Sequence, residues 1–114
     1  MGSEMCIRDS NIGISAYSGD NLVFKNNLMT DNQLSGITLG NTNQSFIEGN
    51  NVKGSGIGLF LDQLSNNNQI NYNNLLYNSV DIHNANGLTK NLNNNEYYQN
   101  RCIISEPTGL CLHS

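Results

Sequence analysis

Apolar positions in this chain recur on two scales. On the short scale they alternate with polar ones, as in Ile14/Ala16, Ile37/Leu39, Ile57/Leu59/Leu61 and Val80/Ile82. A period of two places successive side chains on opposite faces of a strand. On the long scale the alternating stretches repeat. Each opens on a small residue and an aliphatic one, Gly13-Ile14, Gly36-Ile37, Gly56-Ile57, Ser79-Val80 and Cys102-Ile103, with the aliphatic positions 23, 20, 23 and 23 residues apart. A second signal sits inside each repeat. Val23-Phe24-Lys25-Asn26-Asn27-Leu28 aligns with the segments starting at Ile47, Ile70 and Leu92, with apolar residues five apart in every copy and Asn fourth: Asn26, Asn50, Asn73 and Asn95. A constant spacing between variable ones predicts a fixed bend between two strands, with length changes confined to the loops.

These features predict an all-β solenoid of stacked parallel strands, about four to five coils over residues 11–104, with three short strands per coil. Three inward columns are expected. The first is Ile14, Ile37, Ile57, Val80 and Ile103; the second is Val23, Ile47, Ile70 and Leu92; the third is Leu28, Val52, Leu75 and Tyr97. Asn26, Asn50, Asn73 and Asn95 are expected to stack in a ladder at the bend. Asn tolerates left-handed backbone, and its amide both donates and accepts.

Composition sharpens this picture. Asn accounts for 23 of 114 residues, which argues against helices, because Asn favours caps and turns. Charged residues are 12% and the net charge is −4, which excludes nucleic-acid binding through a basic surface. The longest apolar run, residues 57–61, is far short of a membrane span.

The Gly-Ile-x-Leu … Asn-x-Ile-x-x-Asn-Asn pattern resembles the parallel β-helix repeats of NosD-type periplasmic proteins and the wider pectate-lyase-like superfamily. The resemblance covers about residues 11–104 and implies a right-handed parallel β-helix in a periplasmic, secreted or surface protein. It carries several functions, since unrelated activities share this scaffold. Residues 1–10 resemble a translated sequencing-library adapter and are set aside as non-native, so the natural protein is expected to continue into further coils. Residues 105–114 are expected to form a cap or tail around the Glu106-Pro107-Thr108-Gly109 turn cluster. The segment from Cys102 to Cys111 resembles the C-x(n)-G-[LI]-C ending of some NosD-like helices. That resemblance implies a Cys102–Cys111 disulfide and an oxidising compartment; two buried free thiols are the alternative.

Candidate chemistry lies on outward positions of the first strand. One column reads Ser15, Thr38, Gly58, Asp81, Ile104; the other reads Tyr17, Gly40, Phe60, His83, Glu106. Aromatics beside polar and titratable groups on a flat face suit sugars, so Tyr17, Phe60, Asp81 and His83 are candidate polysaccharide contacts. For hydrolysis, the candidate carboxyl pair is Asp81 and Glu106, roughly 8 Å apart by strand geometry, within the spacing inversion requires. A polysaccharide lyase would add Ca²⁺, but Lys25, Lys53, Lys90 and Arg101 lie far from any acidic cluster. The third reading, an accessory role in copper insertion, rests on resemblance alone. Copper needs converging Met, His or Cys groups, whereas Met29, His83 and His113 are scattered. No cofactor and no metal ligand set are expected. The leading expectation is a non-catalytic structural or carbohydrate-contacting module.

Overall fold

The computed structural model describes residues 6–8 and 11–112. Apart from the backbone of Cys6–Arg8, the segment set aside above lies outside the described residues, as does His113. The chain enters on β1 (Cys6–Arg8) and then winds in triplets: β2 (Ile12–Tyr17), β3 (Val23–Lys25) and β4 (Leu28–Thr30); β5 (Ser35–Gly40), β6 (Phe46–Glu48) and β7 (Asn51–Lys53); β8 (Ile57–Leu61), β9 (Gln69–Asn71) and β10 (Asn74–Leu75); β11 (Val80–Asn84), β12 (Glu96–Tyr98) and β13 (Arg101–Cys102). It closes on β14 (Ser105–Glu106). Every third strand pairs in parallel, giving one sheet of β2, β5, β8, β11 and β14, a second of β1, β4, β7, β10 and β13, and a third of β3, β6, β9 and β12. The result is an all-β solenoid of about four turns with three strands per turn.

The core is a stack of side chains from successive turns: Ile14, Ile37, Leu59 and Ile82 from the first sheet, Ile47, Ile70 and Tyr97 from the third, and Met29, Val52, Leu75 and Cys102 from the second. All three expected columns therefore need correction. In the first sheet Ile37 aligns with Leu59 rather than Ile57, and Ile57 aligns with Ser35 and Val80. A slip of two residues keeps the same side chains facing in, so the inward face survives while the levels change. Ile103 is 69% exposed, because Cys102 belongs to the second sheet beside Leu75. In the third sheet Phe24 replaces Val23 and Tyr97 replaces Leu92, which is 70% exposed; in the second, Met29 replaces Leu28.

The five-residue bend is real, read one place later in the first copy. It runs Phe24 to Met29, Ile47 to Val52, Ile70 to Leu75 and Tyr97 to Cys102. Its left-handed corner is Asn26, Gly49, Tyr72 and Gln99, with φ between 57° and 70°. The next position is the ladder. Asn27 Nδ2 donates to Asn50 Oδ1 at 2.9 Å, Asn50 Nδ2 to Asn73 Oδ1 at 3.0 Å, and Asn73 Nδ2 to Asn100 Oδ1 at 2.9 Å. The same oxygens also accept the backbone N–H of the preceding Asn. Asn26 thus turns the chain rather than stacking, and Asn100 holds the place expected of Asn95.

Asn95 serves a second ladder at the corner between the first and third sheets. Its Oδ1 accepts from the backbone N–H and Nδ2 of Asn68, whose Oδ1 accepts from the Ser45 N–H. At the end of the solenoid a disulfide joins Cys102 to Cys111, with Cα atoms 5.2 Å apart, and Leu110 is buried beneath it.

Candidate functional site

A third corner ladder decides the role of Asp81. The Ser55 N–H donates to Asn78 Oδ1, and the backbone N–H and Nδ2 of Asn78 donate to Asp81 Oδ1 at 3.2 and 3.1 Å. Asp81 Oδ2 accepts the N–H groups of Ile103 and Ile104 at 2.9 and 3.0 Å. The carboxylate stands where the next turn would supply another Asn, and all four donors converge on it. It is buried, not outward. The expectation of Asp81 as a catalytic or sugar-contacting group is corrected accordingly: its lone pairs are spent on holding the corner.

The outward face of the first sheet keeps the other candidates, in altered register. Thr38, Phe60, His83 and Glu106 form one row. Tyr17 lies one level further along with Gly40. His83 meets Phe60 edge-on at 5.3 Å between ring centroids, and its Nδ1 lies 3.9 Å from a Glu106 carboxylate oxygen. Tyr17 is 67% exposed, and its ring overlies Gly40, where a Cβ would come within 2.5 Å of it. Glycine at 40 is what lets the ring lie flat against the sheet. This face therefore offers two exposed or half-exposed rings, an imidazole and the carboxylates of Glu106 and Asp62, the latter 3.5 Å from where a Gly40 Cβ would stand. The Asp62 carboxylate accepts the N–H groups of Asn41 and Leu64 and the Ser65 hydroxyl, and Asp81 is spent in the corner.

Donors for a metal do not converge. Met29 is fully buried in the core, and Cys102 and Cys111 are bonded to each other. His83 has Glu106 as its neighbouring carboxylate, and no group of three His, Cys, Asp or Glu side chains among the described residues could hold an ion. These residues do not fit copper, which takes soft or imidazole donors in a close set. No helix among the described residues is long and apolar enough to cross a membrane.

The Asp81 corner was invisible to sequence patterning because a carboxylate there replaces an amide. The Asn27, Asn50, Asn73 spacing of 23 residues would have flagged the true ladder.

Comparison with known protein families finds a match. The family described as Periplasmic copper-binding protein (NosD) matches residues 3–108. No curated protein and no solved structure matches the chain.

Proposed function

This chain belongs to the NosD family, and from that premise we propose that it is a non-catalytic β-helix module of a periplasmic protein, contacting carbohydrate through the outward face of its first sheet. The observation that carries this reading is the row Phe60–His83–Glu106 with Tyr17 alongside, rings and hydrogen-bonding groups displayed on a rigid parallel sheet. Such rings stack on the apolar faces of sugars while polar neighbours take the hydroxyls. The non-catalytic reading is supported by Asp81, whose hydrogen bonds hold it in the corner and away from the one carboxyl pair that the sequence offered for hydrolysis. The copper-binding role in the family's description finds no ligand set among the described residues, so this reading draws on the family's scaffold.

A glycan array on the purified protein tests the reading. Retention of one or more polysaccharides, reduced at least several-fold by Phe60→Ala with Tyr17→Ala, is expected. An array with no signal above blank would end it, as would turnover of a bound polysaccharide.

A further inference from the structure

The connections from the first sheet to the third are not equal. They span residues 18–22, 41–45, 62–68 and 85–95, so the last is eleven residues long where the first two are five. Extra length in one turn of a solenoid does not help stack it, since neighbouring turns have nothing to pair with it. Yet this loop is not loose. Asn93 ties it together: its Oδ1 accepts from Asn84 Nδ2 at 3.1 Å and Asn86 Nδ2 at 3.2 Å, while its Nδ2 donates to Leu88 O at 2.8 Å and Asn86 Oδ1 at 3.2 Å. Leu92 N–H closes a turn onto Thr89 O at 3.0 Å.

The braced loop walls an open cleft of about 620 Å³ against the outward face of the third sheet, lined by Asn71, Lys90, Asn91, Asn93, Glu96 and Tyr98 among others. The volume lies within the roughly 300–1,000 Å³ of small-ligand sites. Register places Tyr98 beside Asn71 and Glu96 beside Gln69, all facing outward. The Tyr98 ring is 53% exposed and is held edge-on by Tyr72 at 5.5 Å between centroids, so it is oriented before anything binds. The side chains of Lys90, Asn91 and Glu96 have no hydrogen-bond or ion-pair partner among the described residues. Asn71 lines the cleft beside Tyr98, and an amide can both donate to and accept from sugar hydroxyls.

We propose that this cleft is a second carbohydrate subsite, taking a short neutral oligosaccharide with one ring on Tyr98 and its hydroxyls on Asn71, Asn91, Lys90 and Glu96. The neutral assignment follows from charge. Lys90 and Glu96 offset one another at the cleft, and Lys25 and Glu48 pair at 4.0 Å on the same sheet. The proposal rests on the carbohydrate reading above but places the contact on a different sheet from Phe60.

Calorimetric titration of the full chain with cello-, manno-, xylo- and maltohexaose, and with hexagalacturonate as the acidic arm, tests it. The variants are Tyr98→Ala, Lys90→Ala with Asn91→Ala, and Phe60→Ala, each checked by circular dichroism. The Lys90/Asn91 pair keeps the test sound if Tyr98→Ala disturbs the sheet, because neither side chain supports the fold. Loss of one or two hydrogen bonds predicts about a tenfold weaker affinity for a neutral hexasaccharide in the double variant. If Phe60→Ala abolishes binding while the cleft variants bind like wild type, the cleft is overturned and the first-sheet reading stands. Binding of hexagalacturonate alone overturns the neutral assignment. No binding of any sugar by wild type overturns both.

Discussion

Replacing Asn73 by Ala removes the middle rung of the longest ladder. The amide oxygen receives Asn50 N–H and Asn50 Nδ2; the amide nitrogen donates to Ile47 O at 2.8 Å and to Asn100 Oδ1. Two of these partners have alternatives. Asn50 Nδ2 still reaches Phe24 O, and Asn100 Oδ1 still accepts the backbone N–H of residue 73. Of the other two, the Ile47 carbonyl keeps its place in the parallel ladder with the third-sheet strand of the next turn, and the Asn50 N–H is stranded in a buried corner. An orphaned buried group costs about 1–3 kcal/mol, so Asn73→Ala should destabilise by about 2–3 kcal/mol, a large share of the roughly 5–15 kcal/mol that a domain has. The control is Asn94→Ala, which removes an exposed amide pair with Asn66 at 3.2 Å and should cost at most about 0.5 kcal/mol. Urea unfolding of both variants and wild type, compared at constant slope, makes the measurement. A midpoint for Asn73→Ala no lower than that for Asn94→Ala would show that the ladders decorate the corners without holding them.

Three further outcomes follow from the same structure. Asp81→Ala should cost about 3–6 kcal/mol in urea unfolding, because the Ile103 and Ile104 N–H groups and the Asn78 amide lose their common acceptor; a change under about 1 kcal/mol would return Asp81 to the list of free carboxylates. Burial pushes the Tyr97 phenol well above its ordinary value, opposed in part by the hydrogen bond it accepts from Asn84. The folded state therefore favours the protonated phenol, so stability is intact below about pH 10 and falls as pH rises through it. Tyr97→Phe should flatten the loss above about pH 10, and an unchanged slope would locate the alkaline sensitivity elsewhere. Reducing the Cys102–Cys111 disulfide, which closes a loop with a sequence separation of 9, should lower stability by about 2–3 kcal/mol, read as a shift in urea midpoint with and without reductant.

The solenoid was legible in the sequence because its core repeats in one dimension and its tightest bend admits no insertion: the five-residue spacing holds in every turn. Exact register was not. Val23 beside Phe24, and Leu28 beside Met29, offer two apolar residues where one column needs a single occupant, and alternation cannot choose between them. In the last turn the long 85–95 connection brings Leu92 and three consecutive Asn residues, 93–95, which imitate the repeat one whole bend, five residues, too early. With Asn so common, Asn95 fitted the wrong ladder. The first-sheet row of Phe60, His83 and Glu106 could be read because strand alternation dictates it. The cleft beside Tyr98 could not, since it exists only once a loop folds back on a neighbouring sheet.

The corner amides also carry a sense of direction. In the Asn27–Asn50–Asn73–Asn100 and Asn68–Asn95 columns the oxygen receives from the turn before, and the nitrogen hands one hydrogen to the turn that follows and, at Asn50, Asn73 and Asn68, the other to a carbonyl of the turn before. The amide-to-amide links thus all run the same way along the winding axis. A whole turn could be copied or excised in frame and the handover would resume, but a turn laid in upside down would set oxygen against oxygen at both of these edges. The stack behaves as a vector, and any neighbour that extends it must arrive pointing the same way.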